Sequence, residues 1–323
     1  MPRPLEVLLL VSLPGSGKSE ILRYLRDLGP EQCRAEFGLG PLVALNDYPY
    51  VHLMRRISQE SQKLGLSGIF FDANELPMKE PFDWGVLVEL LNEDYADLTA
   101  RRRAMPTSAA EWLFARLDAA RAKVGAGPAV GGLPAEQRAK LAAALEADAA
   151  ALVKERNDRF SAAPADRTVV VEFSRGGKDG SAMPLPAPFG YGYSLAVLAD
   201  AILSKASVLY VWVTADESRR RNRLRAGPAN LFTLHQVPLP VMMVDYGCDD
   251  LEHLLKHSDR PDTLKVVSRG RTFYLPAIRL DNRKDRTSFL RGPREGWPEA
   301  DTKALHAALC ESFGKLHKAQ VRR

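Results

Sequence analysis

The chain has 323 residues, 46% hydrophobic and 26% charged, an ordinary globular balance able to support a sizeable core in one large domain or two smaller ones. A net charge of +5 suits an anionic substrate without requiring nucleic acid. Three scattered cysteines, Cys33, Cys248 and Cys310, exclude a disulfide framework, and no apolar run approaches the about 18 residues of a membrane span, so a cytoplasmic protein without a membrane part is expected.

Val7 to Val11 is an apolar run that reads as a buried parallel strand. A turn follows, Ser12-Leu13-Pro14-Gly15-Ser16-Gly17-Lys18-Ser19, and then a helix pattern with Ile21, Leu22, Leu25 and Leu28 on one face, stopped by Gly29-Pro30. Strand, glycine loop and helix come in the order a phosphate-binding loop requires. In such a loop Pro14, Gly15, Ser16, Gly17, Lys18 and Ser19 hold the nucleotide. The glycines turn backbone N–H groups toward an anion, Lys18 sits on the β/γ-phosphates, and the Ser19 hydroxyl is a Mg²⁺ ligand. Ser12 stands where the pattern G-x-x-x-x-G-K-[ST] has its first glycine. The Pro-Gly-Ser-Gly-Lys core resembles the loop of the small P-loop kinases.

Leu42 to Leu45 is a short apolar strand leading into Asn46-Asp47-Tyr48-Pro49. A carboxylate just beyond a strand's C-terminal end lies where open α/β sheets bind ligands. The resemblance to the P-loop kinases makes Asp47 the base on the acceptor hydroxyl, or a carboxylate near the metal. Helices are expected over Tyr50–Leu64 and Asp83–Leu98, where such kinases bind their acceptor; Asp72, Glu75 and Asp83 read as surface acids. The alanine-rich stretch from Ala100 onward predicts two long helices, Ser108–Val124 and Pro134–Phe160, a helical hairpin around a flexible glycine hinge at Gly125–Gly132.

Thr168 to Phe173 is a second buried strand, with Glu172 near its end. A strand-terminal acid is what the second motif of a P-loop NTPase needs to reach the Mg²⁺ shell, although aspartate is commoner there. Arg175, just beyond, is placed to hold an anionic acceptor. Met183–Tyr193 reads as a surface loop near a site, Ser194–Ser204 as a helix, and Ser207–Val213 as another strand. The run from Arg219 to Arg225 then resembles the arginine-bearing lid of nucleotide-kinase-type enzymes, in which guanidinium forks close over the transferring phosphate. By that resemblance Arg220 and Arg223 stabilise the transferring group and Arg219 holds substrate. Asp216 or Ser218 is expected to cap that helix.

Cys248, His253 and His257 have the spacing of ligands on one helix face, but no Glu follows the first His and no C-x-x-C pair accompanies them, so the stretch reads as a polar helix edge. Thr263–Val267 and Arg271–Leu280 predict two strands joined at Arg269-Gly270. Asp281-Asn282-Arg283-Lys284-Asp285 has its lysine misplaced for a guanine-reading motif, and a terminal helix covers Pro298–Leu316.

The expectation is an α/β fold: a P-loop NTPase three-layer sandwich with a mostly parallel sheet and an α-helical hairpin insertion. The core would occupy residues 1–99 and 166–323, with the insertion at 100–165. The resemblance implies an ATP- and Mg²⁺-dependent phosphotransferase acting on a metabolite, a nucleotide or a polynucleotide end. The competing expectation is a P-loop NTPase that acts as a switch or assembly factor through a protein partner; nucleic acid is a less favoured partner.

Overall fold

The computed structural model describes residues 4–161, 166–225 and 236–321. The last residues of the expected insertion, 162–165, and the final two of the basic C-terminus lie outside the described residues. In chain order the elements begin β1 (Val7–Val11), α1 (Lys18–Leu28), α2 (Pro30–Gln32), β2 (Leu42–Asn46), α3 (Tyr48–Lys63) and α4 (Asp83–Ala100). Next come α5 (Ala109–Lys123), α6 (Ala135–Ser161), β3 (Thr168–Phe173), α7 (Gly190–Val197), α8 (Asp200–Leu203) and β4 (Ala206–Trp212). The chain ends with α9 (Ala215–Arg223), α10 (Leu239–Val244), α11 (Leu251–Lys256), β5 (Thr263–Ser268), β6 (Arg271–Asp281) and α12 (Glu299–Val321).

These elements form two compact units. One comprises Met1–Leu45, Pro164–Arg225 and Tyr246–Arg323, the other Asn46–Ala163 and Ala226–Asp245. The division falls at the end of β2, between Leu45 and Asn46. The helices α3 and α4 belong with the hairpin because their apolar faces pack on α5 and α6.

The first unit is an α/β structure around a six-stranded sheet in the order β2-β3-β1-β4-β6-β5. β1 pairs in parallel with β3 and β4, and β4 with β6. The pair at one end of the sheet, β5 with β6, is antiparallel. It closes at Arg269-Gly270, both with positive φ (48° and 76°), as a two-residue hairpin turn requires. In one layer α1 and α12 bury Ile21, Leu22, Leu25, Leu305, Leu309 and Phe313 against Leu8, Leu10, Val170 and Leu209. Each fully buried aliphatic side chain contributes about 1.5–3 kcal/mol. Residues one step along each strand point the other way, and there Phe173 meets Tyr191 of α7, ring centroids 5.6 Å apart. The connection leaving β1 runs to β2 on one side, and that leaving β4 runs to β5 and β6 on the other. The carboxyl ends of β1 and β4 thus flank a switch point, the place where such sheets bind ligands.

The second unit is helical. Ser108 is the N-cap of α5, accepting from the Glu111 N–H, while the Glu146 carboxylate of α6 accepts from the Ala109 and Ala110 N–H groups at 2.7 and 3.0 Å. Those backbone donors hold the Glu146 carboxyl below its usual range. The turn expected as a flexible hinge is tied down: Asp118 accepts from the N–H groups of Ala129, Val130 and Gly131, and Val130 is fully buried. Asp83, expected at the surface, is fully buried and paired with Arg121.

Asp245, also in this unit, is 3% exposed and accepts hydrogen bonds from the Met78 N–H and the Trp84 indole. Burial pushes its carboxyl up from 3.8 to about 7. A raised folded-state pKa makes the contribution of this group complete below about pH 4 and lost as pH rises through about 7. Its loss costs at most about 4 kcal/mol at 1.36 kcal/mol per pH unit. Urea unfolding of Asp245→Asn is therefore expected to show a flatter stability profile between pH 4 and 8 and higher stability than the parent at pH 8. Parallel profiles would remove this assignment.

Candidate phosphate-binding site

The loop between β1 and α1 takes its shape from two glycines. Gly15 and Gly17 have φ of 74° and 104°, values that L side chains rarely adopt. Alternating them with ordinary residues makes a concave run of backbone N–H groups of the kind that binds anions. Gly17 is also the N-cap of α1, with no side chain capping the helix, so the first-turn donors and the helix dipole face the loop. Position 12 needs no glycine because its φ is not positive. Ser12 is fully buried there, with its N–H donating to the Tyr191 hydroxyl at 2.8 Å.

Lys18 is 5% exposed. Its ammonium donates to the Ser12 and Leu13 carbonyls, both at 3.0 Å, and to the Ser174 hydroxyl at 2.9 Å. It is thereby suspended over the loop from the ends of β1 and β3. Ser19 is exposed, and its hydroxyl donates to Glu172 Oε1 at 2.7 Å. Leu10 lies beside Glu172 in the sheet register, so the carboxylate emerges on the α1 side. Burial pushes Glu172 upward, opposed by Lys18 and by the Ser19 hydroxyl. The hydroxyl and the carboxylate are hard oxygen donors at one point beside the loop, a set that fits Mg²⁺.

The loop is braced by residues from far along the chain. Asn282 donates to the Ser16 carbonyl at 2.7 Å and to the Thr287 hydroxyl at 2.9 Å. A Cβ on Gly17 would lie 2.3 Å from Thr287 Oγ1, so both the backbone conformation and the space demand glycine. Ser218 donates to the Pro14 carbonyl at 2.7 Å. Tyr191 donates to either the Ser12 or the Phe173 carbonyl, at 2.9 and 3.1 Å, and accepts from the Arg175 N–H at 3.2 Å. Asp250 in turn fixes Tyr191 by accepting its N–H at 2.6 Å.

α9 differs in detail from the sequence expectation. Thr214 is its N-cap, accepting from the Glu217 N–H, and not Asp216 or Ser218; Ser218 is used on the loop. Similarly, the helix expected over Ser194–Ser204 is two, α7 beginning earlier at Gly190 and α8 following a break. Arg220 is half-exposed and grips Glu217 through two 2.7 Å bonds. Arg219 pairs with Asp216 at 2.6 Å, and Arg223 is exposed. The arginine that sequence reasoning passed over, Arg221, is fully buried and joins Glu217 to the Asn282 carbonyl. These partners hold Glu217 down at about 2, Arg220 first among them. Beyond the helix, Arg225 stands in the field of Glu20, Glu172 and Arg291.

Arg175 is 2% exposed, with its guanidinium donating to the Ser174 carbonyl at 2.7 Å and lying over Phe173. Asp47 directly follows β2 and is the N-cap position of α3, where its carbonyl accepts from the Tyr50 and Val51 N–H groups. It belongs to the helical unit. The rings of His253 and His257 stack at 3.9 Å, and Cys248 donates to the Lys178 carbonyl. Among the described residues no group of three or more His, Cys, Asp or Glu could hold a metal ion, and no helix is long and apolar enough to cross a membrane. No protein-family model, curated protein or solved structure matches this chain.

Proposed function

We propose that the chain is an ATP- and Mg²⁺-dependent phosphotransferase of P-loop kinase type that moves the γ-phosphoryl group to a hydroxyl acceptor. The observation that carries this reading is the suspended Lys18 ammonium and the Ser19–Glu172 oxygen pair, both on one glycine loop at the head of α1. Phosphoryl transfer spreads negative charge over the equatorial oxygens, so catalysis is mostly positioning and charge stabilisation. The loop N–H groups and Lys18 would hold the β- and γ-phosphates. Ser19 and Glu172 would hold Mg²⁺, which when bound neutralises phosphate charge. Arg175, Arg219, Arg220 and Arg223 supply guanidinium groups for the transferring phosphate or the acceptor. The resemblance alone gives Asp47 a part, as acceptor base or as a carboxylate near the metal.

ADP release should be slow with MgATP alone and rise at least tenfold with the right compound in a screen of metabolites, nucleotides and 5′-hydroxyl oligonucleotides. Asp47→Asn should then lower the stimulated rate; an unchanged rate would remove its assignment. Stimulation by a protein partner alone, with no small acceptor active, would replace the transferase with the switch.

A further inference from the structure

Glu172 is one of two acids that the sheet brings to the phosphate loop. The other, Asp249, arrives on the opposite side. Val11, Phe173 and Tyr210 stand side by side in register, one residue past the row that carries Leu10 and Glu172. Their side chains therefore point to the other face of the sheet. There the Tyr210 hydroxyl donates to Asp249, 3.0 Å from Oδ1 and 3.2 Å from Oδ2, and the Leu251 N–H donates to Oδ1 at 3.1 Å. The preceding residue, Cys248, pairs its backbone with Gly177 in the loop that leaves β3. The following residue, Asp250, holds Tyr191, whose hydroxyl is bonded to Ser12. The Asp249 segment is thus fastened to the loop's own foundations on both sides.

Among the described residues Asp249 has no cation within 4 Å, and the residue as a whole is half-buried. It nonetheless feels the Lys18 ammonium, whose attraction is part of its electrostatic environment. Its other titratable neighbours are Tyr210 from β4, Tyr191 from α7, and Cys248 and Asp250 beside it. Glu172, by contrast, is committed to Ser19. One carboxylate stands with the metal donors, and a second, on the other face, stands free of ion pairs.

Building on the phosphotransferase reading, we infer that Asp249 is the acid–base residue of the transfer step within the α/β unit, oriented by Tyr210. The oxygen of an acceptor hydroxyl, or of water in its absence, forms the new bond to the γ-phosphorus. The bond from that phosphorus to the β,γ-bridging oxygen breaks, with its electron pair leaving on ADP. The proton of the attacking hydroxyl passes to the Asp249 carboxylate and from there to solvent. Burial, reinforced by Asp250, pushes Asp249 up to about 7, so the group exchanges protons near neutrality.

The test uses the full chain with MgATP and water as the only acceptor. The parent's slow ADP release should rise with pH to a plateau above about 7. Asp249→Asn should lower the plateau about a hundredfold, the scale of a lost general base, and erase that pH limb. A fluorescent ATP analogue should still bind within threefold of the parent. Asp249→Glu should recover part of the rate. Tyr210→Phe removes a donor to the charged carboxylate and should move the limb to higher pH. Carbon-13 NMR of aspartate-labelled protein, assigned by the resonance missing in Asp249→Asn, should show the Asp249 midpoint rising when MgADP binds, as phosphate neutralises Lys18. An unmoved midpoint, an unchanged pH limb, or equal loss of binding and turnover in Asp249→Asn would overturn the inference. Failure of the parent itself to bind MgATP would instead sink the phosphotransferase reading.

Discussion

Replacing Lys18 with alanine is expected to lower MgATP-dependent ADP release about a hundred- to a thousandfold, the scale set by removing one preorganised charge-stabilising donor. The effect should be large because the ammonium is already in place. Its hydrogen bonds to the Ser12 and Leu13 carbonyls and to Ser174 fix it at the head of α1 before any phosphate arrives. On the phosphotransferase reading, a nucleotide would meet a positioned charge and not a mobile surface lysine, and little ordering entropy would be lost on binding. The fold should tolerate the change, because alanine is the best helix former at the first residue of α1. Lys18→Arg should fail almost as badly. The position is 5% exposed, and a planar guanidinium cannot occupy the space of a compact ammonium with the same partners. Turnover of the alanine variant within threefold of the parent, at unchanged thermal stability, would show that the loop does not carry the chemistry.

The parts of this site that the sequence discloses are the parts that are local in the chain. Strand, glycine loop and helix lie within Val7–Leu28, so the glycine loop of the candidate site is legible as one motif. Glu172 is legible because an apolar strand ending in an acid is itself a short pattern. Four of the six strands show as apolar runs, and the hairpin of β5 and β6 shows by its Arg-Gly turn. What stays hidden is whatever long-range pairing selects. Tyr191 is 179 positions from Ser12, and Asn282 is 266 from Ser16. Nothing in the aromatic loop or in Asp281–Asp285 tells which residue turns inward. Asp249 needs the registration of β1, β3 and β4 before its place can be known. The arginine run has the converse fault: charge pattern marks every member alike, whereas the helix phase buries Arg221 and leaves Arg223 exposed. Asp83 looks like a surface acid for a similar reason, since its partner Arg121 lies on a different helix.

The largest stability effect should come from Asp94, in the helical unit. Its carboxylate accepts from the Tyr50 hydroxyl of α3 at 2.6 Å, from Arg116 of α5 at 2.9 Å and from Arg156 of α6 at 2.8 Å. Asp94 itself is on α4, so one side chain gathers all four long helices. Arg156 is 3% exposed, reaches Asp97 as well and lies over the Phe160 ring at 4.5 Å. Arg116 also pairs with Glu93 at 2.9 Å and lies over Trp112 at 4.6 Å. Asp94→Ala would leave two buried guanidinium groups facing one another without their shared anion. Breaking a buried pair in this way costs about 3–5 kcal/mol, a large share of the about 5–15 kcal/mol that stabilises a typical protein. Tyr50→Phe removes a single neutral donor and should cost about 1 kcal/mol. The comparison that separates charge from packing is Asp94→Leu combined with Arg116→Met and Arg156→Met. If the network acts mainly to avoid an unpaired charge, urea unfolding should find the triple variant far closer to the parent than Asp94→Ala. If the triple variant is as unstable as the single one, the network stabilises the four-helix arrangement through its hydrogen bonds.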